Sequence, residues 1–106
     1  MISIKTYDSY YVNNNLTEQL LTGNGFKNGV FKCYVYKNIL QLVVNINSDN
    51  KKWGYSIIDT DTNTYYSPYY NREYGNNMIV TEVDEKVDKI LREMLKVGVF
   101  WERRER

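Results

Sequence analysis

Met78-Ile79-Val80-Thr81-Glu82-Val83-Asp84-Glu85-Lys86-Val87-Asp88-Lys89-Ile90-Leu91-Arg92-Glu93-Met94-Leu95-Lys96-Val97-Gly98 decides the fold. Ile79, Val80, Val83, Val87, Ile90, Leu91 and Met94 recur at helical spacing and form one apolar arc, so the stretch predicts a long amphipathic helix. Asn77 is placed to cap its N-terminus, while Glu82, Asp84 and Glu85 lie toward its start. Lys96 sits near its end, where Gly98 stops it. Glu82 with Lys86, Glu85 with Lys89 and Asp88 with Arg92 are i,i+4 pairs in the favourable order and mark a solvated face. The β-branched run within Met78 to Val83 leaves a last strand there as the competing assignment, with the helix then delayed to about residue 82.

Upstream of the helix the chain reads mainly as strands: Ile2 to Val12, Val30 to Tyr36, Ile39 to Ile46, Trp53 to Ile58, and a short one around Thr64 to Tyr66. Lys37-Asn38, Asp49-Asn50 and Asp61 to Asn63 supply turn residues, and the loops between strands are too short for parallel crossovers. An antiparallel meander of four to five strands follows, with the long C-terminal helix on one face. Asn15-Leu16-Thr17-Glu18 has the form of a capping box opening a short helix near residues 16–21, which Gly23 would end. The expected class is therefore α+β, with residues 1–106 forming a single domain, since this length supports one hydrophobic core and not two.

Composition removes several function classes. Fourteen basic residues against thirteen acidic ones give a net charge of +1, so no long-range field steers the chain to nucleic acid or to an anionic membrane. No segment approaches the run of about eighteen apolar residues that marks a membrane span. Cys33, the single cysteine, cannot close an internal disulfide, and together these features set the expectation of a cytoplasmic protein. Codons rich in A and T dominate and alanine is absent, which suggests a low-GC bacterium, or a phage or mobile element of one.

There is no histidine, which excludes the common triads and the His-containing metal sites, so the expected enzyme assignment is negative with no cofactor and no metal. Asp59-Thr60-Asp61-Thr62-Asn63 copies the first half of a calcium loop. Thr64 then stands where glycine makes the sharp bend, and Tyr70 where a bidentate glutamate is needed, so the segment reads as a polar turn. Gly23-Asn24-Gly25-Phe26-Lys27-Asn28-Gly29 matches no phosphate-loop spacing and lies between a helix and a strand, so it reads as a connection.

Tyrosine is the outlying feature, with eleven residues, five of them in Tyr65-Tyr66-Ser67-Pro68-Tyr69-Tyr70-Asn71-Arg72-Glu73-Tyr74. Adjacent residues of an extended chain point to opposite faces, so these rings cannot all enter one core, and tyrosine with arginine is the composition of protein interfaces. Tyr65, Tyr66, Tyr69, Tyr70, Arg72 and Tyr74 are the candidate partner-binding residues; the competing role for the rings is to edge the small core. Phe100 and Trp101 are expected to fold back onto the domain; where they do not, Trp101 joins the candidate partner-binding residues as an aromatic anchor beside Arg103, Arg104 and Arg106. The leading expectation is a non-catalytic module that binds an unidentified protein, with a homodimer as the simplest alternative partner. A single-stranded nucleic-acid binder using Lys51, Lys52 and Arg72 comes second, and a small-ligand binder or enzyme using Asp59, Asp61 or Glu73 third.

Overall fold

The computed structural model describes residues 7–71 and 78–103. Nine elements follow in order: β1 (Tyr10–Val12), α1 (Glu18–Gly23), β2 (Val30–Tyr36), β3 (Leu40–Asn47), β4 (Lys52–Asp59), β5 (Thr64–Tyr65), α2 (Ser67–Tyr70), α3 (Met78–Lys96) and β6 (Phe100–Glu102). Strands β2, β3, β4 and β5 pair antiparallel in sequence order, the meander the sequence predicts. The strand expected over Ile2 to Val12 is seen as Tyr10–Val12; residues 1–6 lie outside the described set. It does not extend the meander but pairs with β6, Tyr11 opposite Trp101 and Val12 opposite Phe100, as a second, two-stranded sheet.

Local chemistry sets each boundary. Thr17, not Asn15, caps α1, its hydroxyl accepting the Leu20 N–H at 3.1 Å, and the helix buries Leu21. The three hairpin turns use the side chains that the sequence offers: Lys37 takes φ 47 between β2 and β3, and Lys51 takes φ 58 between β3 and β4. Asn47 and Asn50 there accept the N–H groups of Asp49 and Lys52. Gly29 has no substitute, because its φ is +78 and a Cβ would lie 2.5 Å from the Ile46 carbonyl oxygen.

The segment from Met78 is helical from its first described residue, so the competing strand assignment falls away; the expected Asn77 cap lies outside the described residues. Val80, Val83, Val87, Leu91 and Met94 are buried, the arc the spacing specifies. Asp84, one of the acids near the helix start, belongs to this buried face as well. Only Asp88–Arg92 of the three expected ion pairs closes among the described residues, at 2.9 Å. The helix ends in a Schellman turn: Gly98 at φ 90 donates to Leu95 O, and Val99 donates to Met94 O. That turn hands the chain directly to β6, where Phe100 is fully buried.

Strand β3 alternates strictly. Leu40, Leu42, Val44 and Ile46 face the core and α3, while Gln41, Val43, Asn45 and Asn47 face away. Trp53 connects the two sheets, its indole N–H donating to Tyr10 O at 3.1 Å and its ring lying 4.3 Å from that of Phe100. Phe100 and Trp101 thus fold back, and the Trp101 ring meets Tyr11 edge-on at 5.9 Å.

Candidate functional site

The tyrosine segment splits in two where the sequence suggests one surface. The alternation expected for an extended chain does not apply, because Pro68 sits in the first turn of α2, where its missing N–H costs nothing, and the segment coils. Tyr69 turns inward and is 5% exposed. Its hydroxyl meets that of Tyr55 at 2.9 Å, so it is a core residue and is withdrawn from the partner-binding set. Tyr66 is half-buried against the core, and its N–H donates to Ile57 O at 2.9 Å. Tyr65 and Tyr70 remain outside, at 65% and 51% exposure, with their rings edge to face at 5.7 Å.

These two rings flank a shallow pocket of about 470 Å³ that Ser67 and Asn71 complete. The Tyr70 hydroxyl accepts the Ile57 N–H at 2.9 Å, which holds the ring against the margin of the sheet. A side chain pinned at its tip and exposed on its flank loses little further entropy on binding. Arg72 and Tyr74 lie outside the described residues. Trp101 does not join this group; it sits half-buried in the β1–β6 ribbon with Tyr11, over which the Arg103 guanidinium lies at 5.6 Å.

Register identifies a residue that sequence reasoning missed. Tyr34 pairs with Gln41, Gln41 with Ile58, and Ile58 with Tyr65, one row running across all four strands on the face opposite α3. Tyr34, 50% exposed, ends that row on β2 as Tyr65 ends it on β5. Its exposure follows from period-2 alternation along β2, but its alignment with Tyr65 depends on three registers that no local pattern encodes. The same face carries Val43 and Ser56 in the neighbouring row, with Lys32 and Lys52, and no carboxylate among the described strand residues.

The other candidates resolve into structure. Asp59 accepts the Asp61 N–H at 3.0 Å, Thr60 donates to Ile39 O through both N–H and hydroxyl, and Asn63 takes φ 55: a hairpin turn. The glycine-rich connection brings Lys27 and Val30 together by reciprocal backbone hydrogen bonds, and the amides of Asn24, Gly25 and Phe26 donate to the carbonyls of Leu21 and Thr22 at the end of α1. Titration is displaced at Tyr7, Tyr10 and Cys33. Burial, then the Asp88 carboxylate that accepts its hydroxyl at 3.1 Å, pushes the Tyr7 phenol far above the ordinary tyrosine range. Burial raises Tyr10 and the Cys33 thiol as well.

The four-stranded meander with its C-terminal helix has a known counterpart. The chain is similar to the crystal structure of a DUF1831 family protein from Lactobacillus plantarum, with a TM-score of 0.60 and 13% identity over 89% of this chain and 86% of that one. At that identity the likeness is one of fold. No protein-family model matches the sequence, and no curated protein matches it either. No helix among the described residues is long and apolar enough to cross a membrane.

Proposed function

We propose that this protein is a non-catalytic binding module that docks another protein on the open face of its four-stranded sheet, with Tyr65 and Tyr70 as anchors at one margin and Tyr34 at the other. The observation that carries this reading is the Tyr34–Gln41–Ile58–Tyr65 row, exposed at both ends on a face that α3 does not cover. Exposed tyrosines flanking Ile58 and Val43 match the aromatic enrichment of interfaces. The chemistry supports binding over catalysis, because Tyr7, Tyr10 and Cys33 are all held in their neutral forms, the reverse of nucleophile activation. The codon bias favours a partner from a low-GC bacterium, consistent with an accessory factor of a phage or mobile element acting on its host.

The test is capture from a low-GC bacterial lysate, with wild type compared against Tyr34→Ala/Tyr65→Ala and against Tyr11→Ala as a control on the other sheet. A stoichiometric partner lost only with the first variant supports the reading; a partner retained by both variants, or none, refutes it. A second reading, single-stranded nucleic acid, is favoured by Lys32 and Lys52 on the same face, whose described strand residues include no carboxylate. Fluorescent oligonucleotides titrated at low salt separate the two, since stacking on Tyr34 and Tyr65 with lysine contacts predicts affinity that falls steeply as salt rises.

A further inference from the structure

The opposite margin of the sheet holds an unused backbone edge. Ile46 donates its N–H to Gly29 O at 2.8 Å, which fixes the phase of the β2–β3 ladder. In an antiparallel ladder bonded positions alternate, so Phe31 and Cys33 turn their N–H and C=O groups to β3, while Val30, Lys32 and Tyr34 turn theirs away. Val30 is taken by Lys27, with bonds of 3.0 and 2.8 Å. Lys32 and Tyr34 have no backbone partner on that side among the described residues, because β2 ends the sheet.

Beside this edge, on the helix side, a groove of about 460 Å³ runs between β2 and α3. Phe31, Ile90, Met94 and Val97 make it apolar, and Lys86, Lys89 and Glu93 stand along it. Neither lysine forms an ion pair among the described residues, although Glu82 and Glu85 stand at helical spacing from them. Lys27 and Lys32 extend the positive charge along the edge itself.

We propose that β2 is a strand-addition site for an extended acidic segment of a partner protein, whose main chain pairs with Lys32 and Tyr34 and whose alternate side chains enter the groove toward Lys86 and Lys89. Main-chain bonds supply affinity in such recognition, and the pockets beside the edge select the sequence. Charge chooses this occupant over a second copy of the chain: pairing β2 with itself brings the Lys32 residues and their lysine neighbours together, and like charges across a pair are destabilising. The bulge between Tyr34 and Tyr36 limits the docked segment to a few residues, and lysine on an edge discourages indiscriminate pairing. The site shares Lys32 and Tyr34 with the open face only through their main-chain groups, and its side-chain contacts lie on the α3 side.

The probe is a synthetic octapeptide of alternating glutamate and valine, titrated into nitrogen-15-labelled full-length protein and compared with its lysine–valine counterpart. Expected are shifts and slowed exchange of the Lys32 and Tyr34 amides, weaker binding of the lysine peptide, and a loss of about tenfold with Lys32→Pro, which removes an outward N–H and no bond to β3. Lys86→Glu/Lys89→Glu, at exposed helix positions that leave folding intact, is expected to weaken binding at least as much. The proposal is overturned by perturbations confined to Gln41, Ile58 and Tyr65 that leave the Lys32 and Tyr34 amides unmoved, by equal binding of the two peptides, or by no binding. Concentration-dependent protection of the same amides in the free protein also overturns it, in favour of self-pairing.

Discussion

Two groups of tyrosine in this chain have the same chemistry and opposite environments. Tyr7, Tyr55 and Tyr69 pack ring to ring through the interior, 5.8 Å from Tyr7 to Tyr55 and 6.4 Å from Tyr55 to Tyr69, and each hydroxyl finds a polar partner. Tyr34 and Tyr65 end the same structure in solvent. Tyr70 lies between the groups, its ring 5.4 Å from Tyr69 and 5.7 Å from Tyr65. Abundance of a residue type therefore says little about its role here; whether the phenol tip meets a buried partner decides it.

Substitutions can break that contrast, beginning with the interior. Phe100→Ala empties a fully buried ring site against Trp53 and Tyr10, and is expected to cost about 3–5 kcal/mol in urea denaturation. A loss under about 1 kcal/mol would mean that the ribbon is not part of the core. Tyr7→Phe deletes a hydrogen bond to a carboxylate and should cost about 1.5–3 kcal/mol. It also changes the response to alkali. The Tyr7 phenol is raised in the folded state, so its contribution is complete below the unfolded value of about 10 and is lost as pH rises above it. Wild type should lose stability steeply above about pH 10, and Tyr7→Phe less steeply, as thermal melts across that range would record.

Tyr69→Phe leaves the Tyr55 hydroxyl without that partner and is expected to cost about 1 kcal/mol. Tyr65→Ala closes the series. With its ring mostly in solvent it should change stability by no more than about 0.5 kcal/mol while abolishing capture of a partner, whereas Tyr69→Phe should leave capture intact. A Tyr65→Ala protein that melts early yet still binds would reverse the comparison.

The legible parts of the fold are those with local causes. The apolar arc from Val80 to Met94 and the alternation from Leu40 to Asn47 are each written in a single stretch of chain, and turn chemistry at Lys37 and Asn63 joined the strands correctly. The β1–β6 ribbon was illegible, because three residues carry too weak a pattern and their partners lie at the other end of the sequence. The site was half legible. Composition points to residues 65–74, but the alternation of an extended chain does not hold where Pro68 opens a helical turn, and the coiling turns Tyr69 inward. Tyr34 escaped notice because only the assembled registers place it opposite Tyr65.

The pairing of Tyr10 with Glu102 ties together residues from opposite ends of the described chain. A chain emerging from the ribosome can fold its hairpins as they appear, yet Val12 cannot gain its shelter until Phe100 has cleared the exit tunnel. The interior therefore closes only once Phe100 is available to it, and a product truncated before Phe100 would present Trp53 and Val12 to the quality-control machinery.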